Sequence, residues 1–386
     1  MNSALGIITY FLVIWGLVIG GLYTAFLLLM SGNTEWLLPL GVGVVLIGVL
    51  FVQLYHRKSI RNKKKTTSAL ALIFVASLIY PMYHLYLDSI PTVSAEVDIY
   101  HYMPFEEDSQ VKSLSEEATL TLTGELPRLD GATALYPLYA AAAEMIYPEN
   151  YYDPYSSEVM VNTTPDAYSN LFEGRVDAIF VAGPSEGQLK TAKAKGLELT
   201  MTPIGKEAFV FFVHANNPVT EVTFKDIQGI YSGEVTQWSE LGGEDEEIRA
   251  FQRPEDSGSQ TTLLKIMGDA PVMEAPVENI ETGMGGIIEE VSEYRNHKNA
   301  IGYTFRFYGQ EMVRNNQINY LSIDGVEPTR ETIRDGSYPL TSEFFIITTQ
   351  NSSEETRQLV EWFASEQGQR LVEHAGYVPV EESFGE

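Results

Sequence analysis

From Leu5 to Met30 the chain runs without one charged side chain. Such a stretch has to lie in lipid or in a large core, and as a helix it is long enough to cross the ~30 Å hydrocarbon layer of a bilayer. Trp36–Tyr55 and Ser68–Leu87 repeat the pattern. Trp36, Tyr55, Tyr80, Tyr83 and Tyr86 stand near the ends of these runs, where amphipathic rings suit the membrane interface. No basic segment precedes the first run, and it is too long for the apolar part of a cleaved leader. The expectation is three transmembrane helices within residues 1–90, serving as an anchor.

All six basic residues of that region, Arg57, Lys58, Arg61, Lys63, Lys64 and Lys65, share one loop. The positive-inside rule puts this 56–67 loop and the N-terminus in the cytoplasm and everything beyond about residue 88 outside. The expected location is therefore a bacterial cell membrane, crossed several times, with membrane lipid as a partner. Residues 91–386 are a different material, with 19 basic against 50 acidic residues in a chain of net charge −27. That balance argues against nucleic acid as a partner. The chain has no cysteine, which excludes a disulfide framework, thiol catalysis, thiolate metal sites and lipid attachment to an N-terminal Cys.

Residues 91–118 are acidic and aperiodic, a linker or an arm. Thr119–Thr123 alternates Thr and Leu and reads as a short strand. From Leu126 onward strands and helices alternate, the pattern of an α/β fold. Strands are expected at Glu158–Val161, Val176–Ala182, Glu198–Ile204, Ala208–Val213 and Phe344–Thr348. Asn162-Thr-Thr-Pro-Asp166 carries helix-start signals, Phe224–Tyr231 reads as helix, and Glu354–Glu373 reads as one amphipathic closing helix.

Arg253-Pro-Glu-Asp-Ser-Gly-Ser-Gln-Thr-Thr-Leu-Leu-Lys265 is a strand end, a small-residue turn and a helix start. Ser257 or Ser259 can cap the helix, Gly258 lets backbone come close, and the unpaired N–H groups of the first turn face whatever sits there. Arg253 can add a bidentate grip on an oxyanion. The same residues also describe an ordinary capped surface helix whose Arg pairs with Glu255 or Asp256. Two more junctions, at Ala132–Leu135 and Thr163–Asp166, offer similar helix starts. Three such starts converging beyond the strand ends, with one Arg, make a site for a tetrahedral oxyanion; left apart, they are ordinary turns of an α/β fold.

The pieces that carry a family resemblance run in order along the chain. They are Asp130-Gly-Ala-Thr-Ala-Leu-Tyr-Pro137, Val176-Asp177 with Pro184-Ser185, and Pro203-Ile-Gly205 followed by Phe209–Val213. Then come Ile230-Tyr-Ser-Gly-Glu-Val-Thr-Gln-Trp238, Arg253 with Ser257-Gly-Ser259, and Ala300-Ile-Gly-Tyr303. From about Leu126 to Val380 the chain thus resembles the phosphate-binding proteins of bacterial ABC transporters. The resemblance implies a two-lobed periplasmic-binding-protein-like fold (type II) closing over one dehydrated anion. It puts lobe 1 at 119–207 and 301–386 and lobe 2 at 208–300. The implied ligand contacts are Thr133, Ala134, Leu135, Thr164, Arg253, Ser257, Gly258 and Ser259. The implied partners are inorganic phosphate or a similar oxyanion and an ABC permease or other membrane partner.

Two departures stand out. Three apolar helices replace the family's lipidated Cys or cleaved leader. And where the strand after Val176-Asp177 normally ends in an Asp that accepts a hydrogen bond from protonated phosphate, this chain has Ala182. A carboxylate there can only accept, so it favours a protonated phosphate and rejects sulfate; without it that discrimination relaxes. Glu186 or Glu255 is a candidate substitute. The alternative is a structural or regulatory membrane protein that keeps the fold without a ligand. Arg306 reads as a surface Arg on a strand, with a cleft-facing position as the other possibility. Gly283-Met-Gly-Gly286 lacks the Lys of a phosphate loop, and the six His show no ligand spacing. No nucleophile stands beside a base, so no enzyme activity, metal or cofactor is expected.

Overall fold

Helices form along the apolar runs: α1 (Ser3–Met30), α2 (Leu37–Tyr55), α3 (Lys63–Ser77) and α4 (Ile79–Asp88). Within the computed structural model the described residues are 3–30, 36–55, 63–88, 97–274 and 297–380. They fall into two compact units, Met1–Thr92 and Val93–Glu386. Among the described residues one helix, over Leu12–Met30, is long and apolar enough to cross a membrane; the apolar stretches Leu37–Gln53 and Thr67–Tyr83 are shorter. The three expected spans are thereby corrected to one that meets both criteria. Pro81 explains the break in the third run, since it has no N–H for the carbonyl of Ser77 and its ring crowds that carbonyl. Most of the 56–67 loop and the whole 31–35 turn lie outside the described residues. Small residues let these helices approach: a β-carbon on Gly21 would sit 3.1 Å from Val44, and one on Gly43 would sit 3.2 Å from Phe74.

The second unit is built on one mixed sheet. In chain order its strands are β1 (Leu129–Gly131), β2 (Ala178–Ala182), β3 (Leu199–His214), β5 (Arg249–Ala250), β6 (Ala300–Phe305), β7 (Ile318–Tyr320) and β9 (Thr341–Thr349); β4 (Glu221–Val222) and β8 (Ser322–Ile323) form a separate pair. The order is β1-β2-β9-β3-β6-β5, and β7 joins β3 beyond the end of β9. Strand β3 carries both halves. Its residues 199–208 pair antiparallel with β9, and 209–214 pair with β6 on one side and β7 on the other.

Separate cores lie on the two halves. Tyr136, Tyr139, Phe180, Phe363 and Leu371 belong to the first; Phe211, Tyr231, Trp238, Phe251 and Tyr303 belong to the second. The two strands expected at 198–204 and 208–213 are one. Gly205 does not break it but forms part of a bulge, and it must be glycine because a β-carbon there would fall 2.2 Å from the Phe344 ring. The expected Thr119–Thr123 strand pairs with no ladder among the described residues: Leu122 N–H bonds the carbonyl of Ile146, and Gln367 takes both N–H and hydroxyl of Thr119. The expected Glu158–Val161 strand is reduced to a single bridge between Leu129 and Val159. The closing helix is two, Glu354–Ala364 and Glu366–Ala375, broken at Ser365, whose hydroxyl caps the second.

Where β3 passes from one half to the other, Glu207 and Arg306 form a buried pair, their side chains 5% and 3% exposed. The carboxylate accepts from Arg306 Nε (3.2 Å), Ala208 N (2.9 Å) and Phe307 N (3.1 Å). Arg306 also donates to the Gly376 carbonyl at 2.8 Å. It is therefore neither a surface Arg nor one free to reach a ligand. Burial pushes the Glu207 carboxyl above its ordinary range, and the Arg306 charge pulls it back. A carboxyl whose folded pKa is raised destabilises the fold as pH rises through that pKa, and removing Arg306 raises it further. Arg306→Leu is expected to cost about 3–5 kcal/mol near neutral pH and clearly less at acidic pH, because protonation of Glu207 relieves its unpaired buried charge. Denaturant unfolding at the two pH values tests this; an equal loss at both refutes it.

Candidate oxyanion-binding site

One cavity of about 440 Å³ is lined by all eight residues named from the sequence: Thr133, Ala134, Leu135, Thr164, Arg253, Ser257, Gly258 and Ser259. Three chain segments bring them there. Thr133–Leu135 is a single tight turn opening α5 (Tyr136–Ile146), and Tyr377 Oη donates to the Ala134 carbonyl at 2.6 Å. Thr164 is the first residue of α6 (Thr164–Phe172), whose cap is Thr163. Because the cap bond to Asp166 N comes from Thr163, the Thr164 hydroxyl is not spent on capping. Gly258 opens α9 (Gly258–Met267), with Ser257 as the cap, accepting from Gln260 N at 3.3 Å.

The starts of α6 and α9 meet. A β-carbon on Gly258 would lie 3.1 Å from Thr164 Oγ1, so glycine allows the approach. Both helices aim unpaired first-turn N–H groups and the positive end of a dipole at the same space. Ser259 is 2% exposed, and its hydroxyl has no hydrogen-bond partner among the described residues. A buried hydroxyl left without a partner costs ~1–3 kcal/mol, and a bound oxyanion supplies the missing acceptor.

Arg253 is held from its backbone. Its N–H lies 2.9 Å from Tyr303 Oη and 3.0 Å from Gln260 Oε1, and Tyr303 Oη itself donates to Gln260 Oε1 in a short bond. Gln260 also donates to Gln252 Oε1, which ties the turn to β5 and β6. Burial pushes the Tyr303 phenol up, so it stays protonated and acts as a donor here. Neither Gln260 nor the hydroxyl of Tyr303 was picked out from the sequence as a support for Arg253. The only hint was that Tyr303 ends the Ala300-Ile-Gly-Tyr motif.

Ala182 lines the cavity at the end of β2, and its carbonyl accepts from Tyr168 Oη at 3.3 Å. Neither suggested replacement carboxylate stands there. Glu186 is exposed and faces Lys190 at 3.4 Å, and Glu255 is exposed; neither lines the cavity. Lys265 Nζ instead borders the end of β2, 3.0 Å from where a β-carbon on Gly183 would be, and burial pushes its pKa down. Asp256, one of the two acids expected to pair with Arg253, turns away. At φ 67° it accepts a short hydrogen bond from Ser185 Oγ, and its carbonyl accepts from Gln188 Nε2 at 3.1 Å. Ser185 caps α7 (Glu186–Ala194), so this contact joins the α9 turn to the segment leaving β2.

Several known proteins are similar to this chain. The phosphate-binding protein PstS of Bacillus subtilis is 26% identical over 269 residues, covering 69% of this chain and 82% of the relative. That of Staphylococcus saprophyticus is 22% identical over 259 residues, covering 64% and 78%. Among solved structures, a Clostridium perfringens protein assigned as a phosphate ABC transporter substrate-binding protein, with phosphate bound, superposes with a TM-score of 0.51. It is 24% identical and covers 66% of this chain and 98% of its own. A profile described as the PBP superfamily domain matches residues 118–367, and the chain belongs to that superfamily.

Proposed function

We propose that this protein is a membrane-tethered extracytoplasmic receptor that captures an oxyanion, foremost inorganic phosphate, between two lobes and hands it to an ABC-type permease. The observation that carries the reading is the partnerless hydroxyl of Ser259, 2% exposed in a cavity shared with Arg253 and with the starts of α6 and α9. The phosphate-binding relatives support the choice of ligand. The groups at the site bind and orient an anion, so the reading is one of binding rather than catalysis. One lobe holds 119–207 and the strand and helices from 341 onward. The other holds 208–300 and, because Ile318, Leu321, Ile323, Ile333 and Leu340 pack into the second core, the stretch 318–340 as well, while Phe307 packs into the first. The lobes turn about the β3 crossing at Glu207.

Titration calorimetry of the full chain in nanodiscs, with phosphate and separately with sulfate, tests the reading. Saturable heat is expected with phosphate. Arg253→Ala should weaken binding by about 2–5 kcal/mol, and Ser259→Ala by about 1–3 kcal/mol. Folded protein giving no heat with either ion returns the function to the ligand-free structural alternative.

The N-terminal unit acts as the tether: among the described residues Leu12–Met30 alone meets both criteria for a span, and the clustering of every basic residue of 1–90 in one loop favours a multi-pass arrangement in which the shorter apolar helices complete the hairpin and that loop lies in the cytoplasm. The chain has no native cysteine, so Ser59→Cys and Asn351→Cys can be labelled singly. On intact cells an impermeant maleimide should reach Cys at 351 and reach 59 only after permeabilisation. Labelling of both from outside would mean a single span.

The Ser185–Asp256 contact is read as a latch between the lobes. A double-mutant cycle with Ser185→Ala and Asp256→Ala isolates it from the capping role of Ser185, and a coupling of about 1.5–3 kcal/mol is expected in unfolding measurements. Simple additivity of the two losses would remove the latch.

A further inference from the structure

We propose that the site prefers a tetrahedral oxyanion carrying one organic substituent, a monosubstituted phosphate or phosphonate with a small apolar body, over the free ion. This rests on the oxyanion reading above and narrows its ligand. Size is the first ground. A dehydrated free oxyanion displaces the volume of a few waters, ~60–90 Å³, whereas the cavity measures about 440 Å³. That volume remains although Ser185 and Asp256 already join the two sides, and it falls in the range of pockets for organic ligands.

The surface of the cavity is the second ground. Besides the anion cradle it takes in Val97, Ile99, Phe305, Tyr308, Phe344 and Tyr377, mostly carbon surface, with Glu207, Ser342 and Glu343 as the polar remainder. Val97 and Ile99 come from the segment ahead of the α/β fold, which thus closes one wall. An apolar substituent against these side chains gains from leaving water.

Ala182 is the third ground and gives the chemistry. A free phosphate near neutral pH carries at least one P–OH, whose proton needs an acceptor in a desolvated site. At the end of β2 this chain offers a methyl group; of the two carboxylates in the lining, Glu207 is committed to Arg306 and two backbone N–H groups, and Glu343 is exposed. In a phosphonate or an ionised phosphomonoester the fourth position is carbon or an esterified oxygen. It brings no proton there, and the other three oxygens face Arg253, Ser259, Thr164 and the helix-start N–H groups. Donors and substituent are then both satisfied.

Calorimetry of the full chain in nanodiscs with inorganic phosphate and with phenylphosphonate decides. Phenylphosphonate is expected to bind at least about tenfold tighter. Ala182→Asp should reverse the order, because the carboxylate accepts from protonated phosphate and crowds the ring. Should that variant fail to fold, Val97→Trp, which narrows the apolar part, is expected to weaken phenylphosphonate at least about tenfold more than phosphate. Phosphate binding tighter than phenylphosphonate overturns this proposal and leaves the receptor reading standing. A folded protein that binds neither overturns both.

Discussion

The second unit depends on β3 being one strand. Residues 199–208 and 209–214 belong to different halves of the sheet yet share an unbroken backbone, and β9 begins beside the crossing, with Leu340 accepting from Phe209 N. At this crossing the two cores are joined by a hydrogen-bonded neck of β3 and β9. Glu207 sits in that neck, accepting from two backbone N–H groups and from Arg306. A charge pair so deeply buried is weak evidence for stability, since desolvation offsets the attraction. What it does supply is position: Arg306 bonds both Glu207 and the Gly376 carbonyl, so β6, the neck and the end of the last helix are held in one register.

The site follows from that frame. Helix starts are polar by construction, because the first N–H groups of a helix have no partner within it. Elsewhere in this chain such groups are answered by local caps, as at Ser185 with Gln188 and Thr223 with Asp226. At α6 and α9 the caps answer part of the demand, and Thr164, Gly258 and Ser259 are left facing a shared cavity. The Gln260–Tyr303 pair fixes the backbone of Arg253 so that its guanidinium is delivered from a rigid turn. Pre-set donors of this kind bind an anion without first having to be ordered.

The residues of the cradle were legible because their signals are local. Thr163-Thr-Pro-Asp166 announces a helix start within four letters, and Arg253 stands four residues before Ser257. The supports were not legible, because each joins residues far apart in the chain: 43 residues for Tyr303–Gln260, 71 for Ser185–Asp256, 99 for Arg306–Glu207. Periodicity has no view of such contacts. Element boundaries failed for a related reason. Gly205 has the composition of a break, but the Phe344 ring occupies the space a side chain would need, so the strand continues. Ser365 sits inside an unbroken amphipathic pattern, yet its hydroxyl caps a new helix. Pro81 is apolar enough to pass within a hydrophobic run while splitting the helix it belongs to.

Ala182 and Asp256 take on meaning together. A site that had merely decayed should lose donors as readily as acceptors, because nothing would hold either. Here Thr164, Arg253, Ser257 and Ser259 all line the cavity, and a methyl group stands where the resemblance implied an acceptor. At the same time Asp256 occupies a left-handed conformation that disfavours most side chains, and it spends its carboxylate on Ser185 across the cavity's edge. Backbone strain at a non-glycine residue persists only where surrounding structure compensates it, and a contact joining the two sides of the site is such a compensation. An acceptor removed from inside the site and a carboxylate committed at its edge both point to a site adjusted to its ligand. On the proposed reading, the adjustment leaves the oxyanion's grip intact and changes what the remaining corner of the tetrahedron must be.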